Sequence, residues 1–361
     1  MATTPLQDAL HTDPGNQVRP LALADYRGAR TAARFADPQV EFAALLGGCG
    51  VYDLSFRARI SLTGGDRVRW LNGMVTNNIR DLQAGHGVYA FLLNPQGHIL
   101  GDLYAYHCGE DLLVDTDQSQ RQKILTSFDH YIIMDDVEVT DISSARTAIG
   151  VAGPNAGAAL HAAGLQVPEL GPLQIANLEW QQIHLSVVRG EHADYPSYEI
   201  WIAPDSAQKM IGALLASGAT LADSAALELY RIALGVPRYG QDIRERDLPQ
   251  ETEQARALNF NKGCYVGQEI VERIRSRGNV HRKFTGFLVS GPPLAPGTKI
   301  QMESKDVGEI TSSALIPAPR GDRAVALGYI RREVGIPGKE IPISESTAIV
   351  TEPPFVDLLR A

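Results

Sequence analysis

The sequence is short of cysteine, of long apolar runs and of positive charge, and each shortage closes off a class of protein. Three cysteines occur in 361 residues: Cys49, Cys108 and Cys264. An odd, widely spaced set is no disulfide framework. Without a CxxC pair there is no ligand set for a zinc ribbon or a self-contained four-cysteine cluster, so no metal is expected. Reduced thiols in a cytosol are the simplest reading, and the chain is expected to be cytoplasmic. No stretch approaches roughly eighteen consecutive apolar residues, so no membrane partner is expected. The N-terminus, MATTPLQDALHTDPGNQVRP, carries acids and prolines and lacks the apolar core of a signal peptide; residues 1 to about 20 read as a loose extension. The net charge of −9 argues against general nucleic-acid binding, which needs a basic face to displace counterions.

The chain is too long for one core, so two or three domains are expected. RARISLTGGDRVRWLNGMVTNNI reads as strand, turn and helix, with Ile60 and Leu62 alternating and Val68, Leu71 and Val75 at helical spacing. VYAFLLNPQGHILGDLYAYH is two apolar runs around Asn94-Pro95-Gln96-Gly97, a hairpin signal. Ile124, Phe128 and Ile132 mark a helix, and DSAQKMIGALLASG marks another, capped by Asp205 or Ser206. GVAGPNAG, residues 150 to 157, follows a strand and opens a helix; a turn that lets strand and helix approach closely is favoured over an anion site. After Arg282 short strands alternate with Gly and Pro turns, the texture of a small β-barrel. The mixed order of strands, hairpins and helices favours an α+β class over a doubly wound parallel sheet. The expected division is a lead-in over 1–40, α+β lobes over 41–144 and 145–280, and a barrel over 281–361.

The segment KGCYVGQE, residues 262 to 269, carries the clearest chemistry. Val266, Ile270 and Ile274 recur at intervals of four with Val271 beside them, which predicts an amphipathic helix over about 264–276, stopped by Gly278-Asn279. Cys264 then sits at or near the helix N-terminus, where unpaired N–H groups favour a thiolate, and the Lys262 ammonium adds to that bias. The competing reading is a small buried hydrophobe, the commonest fate of a free cysteine. Cys49, among apolar neighbours, and Cys108, beside His107 near a strand end, read as structural.

KGCYVGQE resembles the K-G-C-[Y/F]-x-G-Q-E signature of the YgfZ family, folate-binding relatives of the glycine-cleavage T-protein linked to assembly or repair of iron–sulfur proteins. YRIALGVPRYGQDI, at 230 to 243, resembles the R-I-x-x-G-x-P-x-x-G-x-D-I element of that family. GVYDLSFRARISLTGGDRVRWLNGMVTNNI and LLNPQGHILGDL are similar to its N-terminal block and hairpin. The resemblance implies a three-lobed T-protein-like ring, two α+β lobes and a C-terminal β-barrel around a central channel that accepts tetrahydrofolate or a one-carbon derivative. It implies iron–sulfur client or assembly proteins as partners. Lys262 and Cys264 match the motif's lysine and cysteine, and Gln268 and Glu269 its last positions. Arg231 matches the arginine of the RI element, which in a channel would fork onto a folate carboxylate or carbonyl.

Two departures matter. The T-protein carries an Asp-Asp pair whose first member assists one-carbon transfer; here the pair is Gly101-Asp102, and Asp102 is the candidate replacement. The T-protein element GYTGExGFE corresponds to VVRGEHADYPSYEIWI, which places Tyr195 at the pterin-gripping glutamate, with Glu191 or Asp194 as substitutes after a shift, and Asn77 as another candidate. The cluster RIRSRGNVHRK, holding Arg273, Arg275, Arg277, His281, Arg282 and Lys283, reads as a solvated helix end ahead of a polyglutamate or acidic-partner site. Three functions stay open: an iron–sulfur assembly or repair factor using Cys264, a tetrahydrofolate-dependent aminomethyl transferase, and a folate-binding module without chemistry.

Overall fold

In a computed structural model of the chain, Thr4, Gln7 and residues 22–278, 280–318 and 321–356 are described. The extension expected over residues 1 to about 20 lies outside them except at Thr4 and Gln7. Thr4 is buried, and its hydroxyl donates to Asp53 Oδ2 at 2.6 Å.

The strand Arg57–Thr63 shows how alternation builds the first sheet. Ala58, Ile60 and Leu62 are fully buried on one face, as period-two geometry requires. Arg57, Arg59 and Ser61 share the other face. This strand belongs to a five-stranded sheet with the order Gly87–Leu93, Ile99–His107, Leu112–Asp117, Arg57–Thr63, Glu138–Asp141. The expected hairpin at 94 to 97 is present: Gly97 N–H donates to Asn94 O at 2.9 Å, and Asn94 Oδ1 accepts from His98 N–H at 2.9 Å.

A six-stranded sheet has the order Ile175–Trp180, Ile183–Arg189, Ser197–Ile202, Thr147–Ala152, Gly50–Asp53, Thr220–Ala222. Only its last pairing is parallel. The central strand Thr147–Ala152 is buried at every position. Helix Pro204–Ala216 covers this sheet with Ala207, Met210, Ile211 and Leu214, the stripe its spacing demands. Its cap is Ala203, with Pro204 opening the first turn, so the expected Asp205 or Ser206 cap is corrected: proline's fixed φ starts the helix one step earlier. Cys49 lies in this core as expected. In GVAGPNAG, a Cβ on Gly153 (φ +120°) would stand 2.4 Å from Gly48 O, so the glycine serves close backbone approach.

The C-terminal sheet is antiparallel throughout, in the order Lys299–Met302, Lys305–Ile316, Arg323–Arg331, Arg282–Ser290, Ser346–Thr351, Glu340–Ile343. Its two edge strands lie against each other, so the sheet nearly closes into a barrel over Phe287, Ile300, Ile310, Ala326, Ile341 and Val350. The α+β class and the barrel texture expected from the sequence are thus met.

The chain divides into two interleaved compact units. The first takes Met1–Asn72, Asn78–Tyr89 and Leu103–Leu227; the second takes Gly73–Asn77, Ala90–Asp102 and Glu228–Ala361. The boundary expected near residue 280 falls inside the second unit, which holds both the KGCYVGQE segment and the barrel. Among the described residues no helix is long and apolar enough to cross a membrane.

Candidate functional site

In the second unit the KGCYVGQE segment forms a loop pinned to Gly73–Asn77. Lys262 is buried, and its Nζ donates to Val75 O at 2.5 Å and to Asn77 O at 2.7 Å. The Lys262 ammonium also lies 4.9 Å from the Tyr265 ring centroid. Asn259 N–H donates to Thr76 O at 3.0 Å and Val266 N–H to Gly73 O at 3.1 Å. Thr76 ties the segment further, donating to Ala257 O at 2.6 Å and accepting from Phe91 N–H at 2.9 Å. Asn77 Nδ2 donates to Arg256 O at 2.8 Å. Residues almost two hundred positions apart in the chain are therefore joined, and the lysine charge is directed at backbone carbonyls.

The helix begins at Gln268, with Gly267 as its cap in the left-handed region at φ 82°. The expected start near 264 is corrected. The apolar spacing runs on past Gly267, but a left-handed residue ends the helical path, and a Cβ there would stand 2.6 Å from Asn94 O. Cys264 consequently lies in the loop ahead of the cap. It is exposed, whereas Cys49 is buried and Cys108 half-buried. Burial pushes the Cys49 thiol up to about 11. Burial, helped by Asp111, pushes the Cys108 thiol up to about 11 as well. The reading of Cys264 as a buried hydrophobe is excluded. Tyr265 covers the loop's inner side; burial and Glu272 push its hydroxyl up to about 12.

Gln268 shapes the same loop: its side-chain oxygen accepts from Tyr265 N–H at 3.2 Å, and its own N–H donates to Tyr265 O at 3.2 Å. Glu269 is exposed in the first helical turn, where a carboxylate favours the macrodipole. Asp102 is half-buried within strand Ile99–His107, away from a strand end.

Arg231 departs from the expectation of a fork open to a folate. It is 5 % exposed and fully engaged. Its Nε donates to Glu228 at 2.7 Å, Nη1 to Asp242 at 2.8 Å and Nη2 to Ser312 at 2.8 Å. Asp242, fully buried, also accepts from Thr311 at 2.5 Å and Ser312 at 2.7 Å. The residue is a clamp between helix Ser224–Leu234 and strand Lys305–Ile316. The basic cluster is likewise partly neutralised: Arg282 pairs with Asp247 and Glu251, each at 2.8 Å, and Arg275 with Glu272 at 3.5 Å. Asn279 and the Arg277 side chain lie outside the described residues.

The first unit holds a polar and aromatic layer that sequence reading missed. Arg57 Nε donates to Asp115 at 2.6 Å and its Nη1 to Asp117 at 2.6 Å. Arg59, fully buried, lies 3.2 Å from Asp115 Oδ2 and 4.0 Å from Glu199 Oε2. None of its side-chain nitrogens completes a hydrogen bond among the described residues. Glu199 accepts from Trp201 Nε1 at 2.8 Å. Burial and the Asp115 charge raise the Glu199 pKa, with Arg59 and Arg57 opposing. Tyr104 donates to Glu191 at 3.2 Å. The rings of Tyr89 and Tyr104 lie 5.0 Å apart, Tyr104 and Tyr106 stack at 6.3 Å, and Tyr106 meets Trp201 edge-on at 5.0 Å. Tyr195 is half-buried in the loop before strand Ser197–Ile202, and Asp194 beside it is exposed. The available signal was two strands, RARIS and LVDTD, with charges alternating on a face the sheets enclose.

Among the described residues no group of three or more His, Cys, Asp or Glu is placed to hold a metal. The fold is that of the glycine cleavage system aminomethyltransferase T from Bartonella henselae, whose crystal structure superimposes with a TM-score of 0.83 at 22 % identity, over 94 % of this chain and 95 % of that one. Residues 17–262 match the family model of the GCVT N-terminal domain, and the chain belongs to that family. It is similar to an aminomethyltransferase of Rippkaea orientalis, 26 % identical over 92 % of this chain and 93 % of the relative. It is also similar to a putative chloroplastic transferase of Arabidopsis thaliana, 27 % identical over 86 % of this chain and 72 % of the relative.

Proposed function

We propose that the protein binds tetrahydrofolate or a one-carbon derivative and acts as a folate-dependent one-carbon transferase of the aminomethyl type. The observation that supports this best is the likeness to aminomethyltransferases along almost the whole chain. The first unit suits such a ligand. Tyr104 is the partly exposed ring of the tyrosine layer, and the carboxylates of Glu191 and Glu199 can accept from the amino and amide edge of a pterin. A reduced folate supplies the nitrogens that carry the one-carbon unit; the residues of the chain bind it, orient it and exchange protons. Gly101 stands where the family's motif carries its catalytic carboxylate, and Asp102 is the carboxylate that motif retains for proton handling. The test is transfer of an aminomethyl group to tetrahydrofolate by purified protein. Turnover lost in Asp102→Ala and kept in Cys264→Ala supports the reading; no turnover with any aminomethyl donor, together with no tetrahydrofolate binding by calorimetry, overturns it.

A second reading is favoured by the exposure of Cys264 on a pinned loop. On this reading the chain is a YgfZ-type factor for assembly or repair of iron–sulfur proteins, working in a cytoplasm that keeps the thiol reduced. One thiolate cannot hold a cluster, so the client or an assembly partner supplies the other ligands. Cells carrying Cys264→Ala should lose activity of their iron–sulfur enzymes; full activity would remove this reading.

A further inference from the structure

The first unit contains a cavity of about 470 Å³, lined by Cys108, Asp111, Arg146, Asn177, Ser186 and the backbone at Gly85. It shares no residue with the Cys264 loop or with the tyrosine and glutamate layer described above. Its volume lies in the lower part of the range of small-molecule sites, roughly 300–1,000 Å³.

We propose that this cavity binds a small zwitterion of the α-amino-acid class, its carboxylate on Arg146 and its ammonium on Asp111. The charges carry the argument. Among the described residues the Arg146 guanidinium has no hydrogen-bond or ion-pair partner. It also repels the buried Arg59. A carboxylate is the group a planar guanidinium fork accepts best. Asp111 Oδ2 accepts from Ser61 at 3.0 Å, and the other oxygen remains open for a cation among the described residues. A plain anion would meet the Asp111 charge and a plain cation would meet Arg146; a zwitterion satisfies both. Cys108 stays an uncharged thiol and does not disturb this balance. Asn177 Oδ1 accepts from Ser186 Oγ at 2.8 Å, which leaves the amide nitrogen as a donor.

The test is calorimetric titration of the full chain with L-alanine, L-serine and L-aspartate, and with acetate and ethylamine as half-charged probes. At least one amino acid should bind, while acetate and ethylamine should not bind at the same concentrations. Arg146→Gln and Asp111→Asn should each weaken binding by roughly tenfold or more. Gln keeps a polar, hydrogen-bonding side chain although it is shorter than arginine's, and Asn is isosteric with Asp and retains an oxygen for Ser61. An independent readout is slow alkylation of Cys108 at mildly alkaline pH, below the range where the amino acid loses its ammonium proton, which the bound amino acid should slow further while Cys264 in the same chain reacts unchanged. The proposal is overturned if none of the amino acids binds or protects Cys108, if both variants bind as wild type does, or if acetate alone binds as tightly.

Discussion

Lys262 has two candidate tasks, to acidify the Cys264 thiol or to hold the loop, and replacement by methionine separates them. Methionine keeps most of the buried stem and removes the ammonium. The substitution deletes the bonds to Val75 O and Asn77 O and leaves both carbonyls facing apolar sulfur and methyl. Hydrogen bonds to a charged group are each worth about 1.5–3 kcal/mol. Water reaching the loop would recover part of the loss, so a local cost of about 2–4 kcal/mol is expected. Because the chain holds two compact units, a single global unfolding energy is a poor measure. Native-state hydrogen exchange reads the loop directly. The Asn259 and Val266 amides, which bond Thr76 O and Gly73 O, should exchange roughly 30-fold to almost 1,000-fold faster, while amides of the strand Thr147–Ala152 stay unchanged. Unchanged protection at Asn259 and Val266, with only the pH profile of Cys264 alkylation displaced, would refute the pinning role and restore the lysine to thiol activation.

Three further outcomes follow from the geometry. Of the cysteines, Cys264 should alkylate first at neutral pH, because it is exposed while burial holds the other two thiols at about 11; Cys264→Ser should change stability by no more than about 0.5 kcal/mol. Mass spectrometry of partly labelled protein and thermal unfolding check these. Arg231→Met should destabilise the second unit by about 3–5 kcal/mol, since it strips a buried partner from Asp242, and exchange in strand Lys305–Ile316 should report it; a silent substitution would contradict the clamp. Glu199 has its pKa raised on folding, so the folded state favours its protonated form: that contribution is present below the unfolded pKa and is lost as pH rises through the folded one. Glu199→Gln should therefore flatten the fall in stability above roughly pH 4, and an unchanged pH profile in urea unfolding would refute it.

The class of fold was legible because it rests on periodicity and turn chemistry. Ile60 and Leu62 alternate into a buried face, and Asn94 to Gly97 carries its own turn. The cysteine segment was legible as a motif, yet its helix was drawn too long. The spacing of Val266, Ile270 and Ile274 continues across Gly267, and only the backbone angle shows that the path breaks there. Arg231 looked open because an arginine on a helix is usually solvated. The groups that enclose it, Asp242 and Ser312, arrive from other parts of the chain. Arg57 and Arg59 were passed over for the mirror reason. Alternate arginines on a strand suggest a solvent face, and nothing local reveals that Asp115 and Glu199 bury them.

These misreadings share a cause that bears on function. A charge in the sequence has no visible partner, so it is assigned to a ligand or to water; in the folded chain most such charges meet another part of the chain first. Lys262 meets carbonyls and Arg231 meets carboxylates. The ionisable groups that keep open valences are then the better guide to ligands; among the described residues they include the exposed sulfur of Cys264, the raised carboxyl of Glu199 beside its aromatic rings, and Arg146 and Asp111 in the lining of one cavity. Cys264 gains its standing from display, since the lysine beside it fixes the loop that presents the sulfur. On the second reading, the sulfur displayed in this way acts on a protein that comes to it from solvent. That separates the two functional readings: one-carbon chemistry should depend on Asp102 and ignore Cys264, whereas chemistry on a protein partner should depend on Cys264 and survive loss of folate binding.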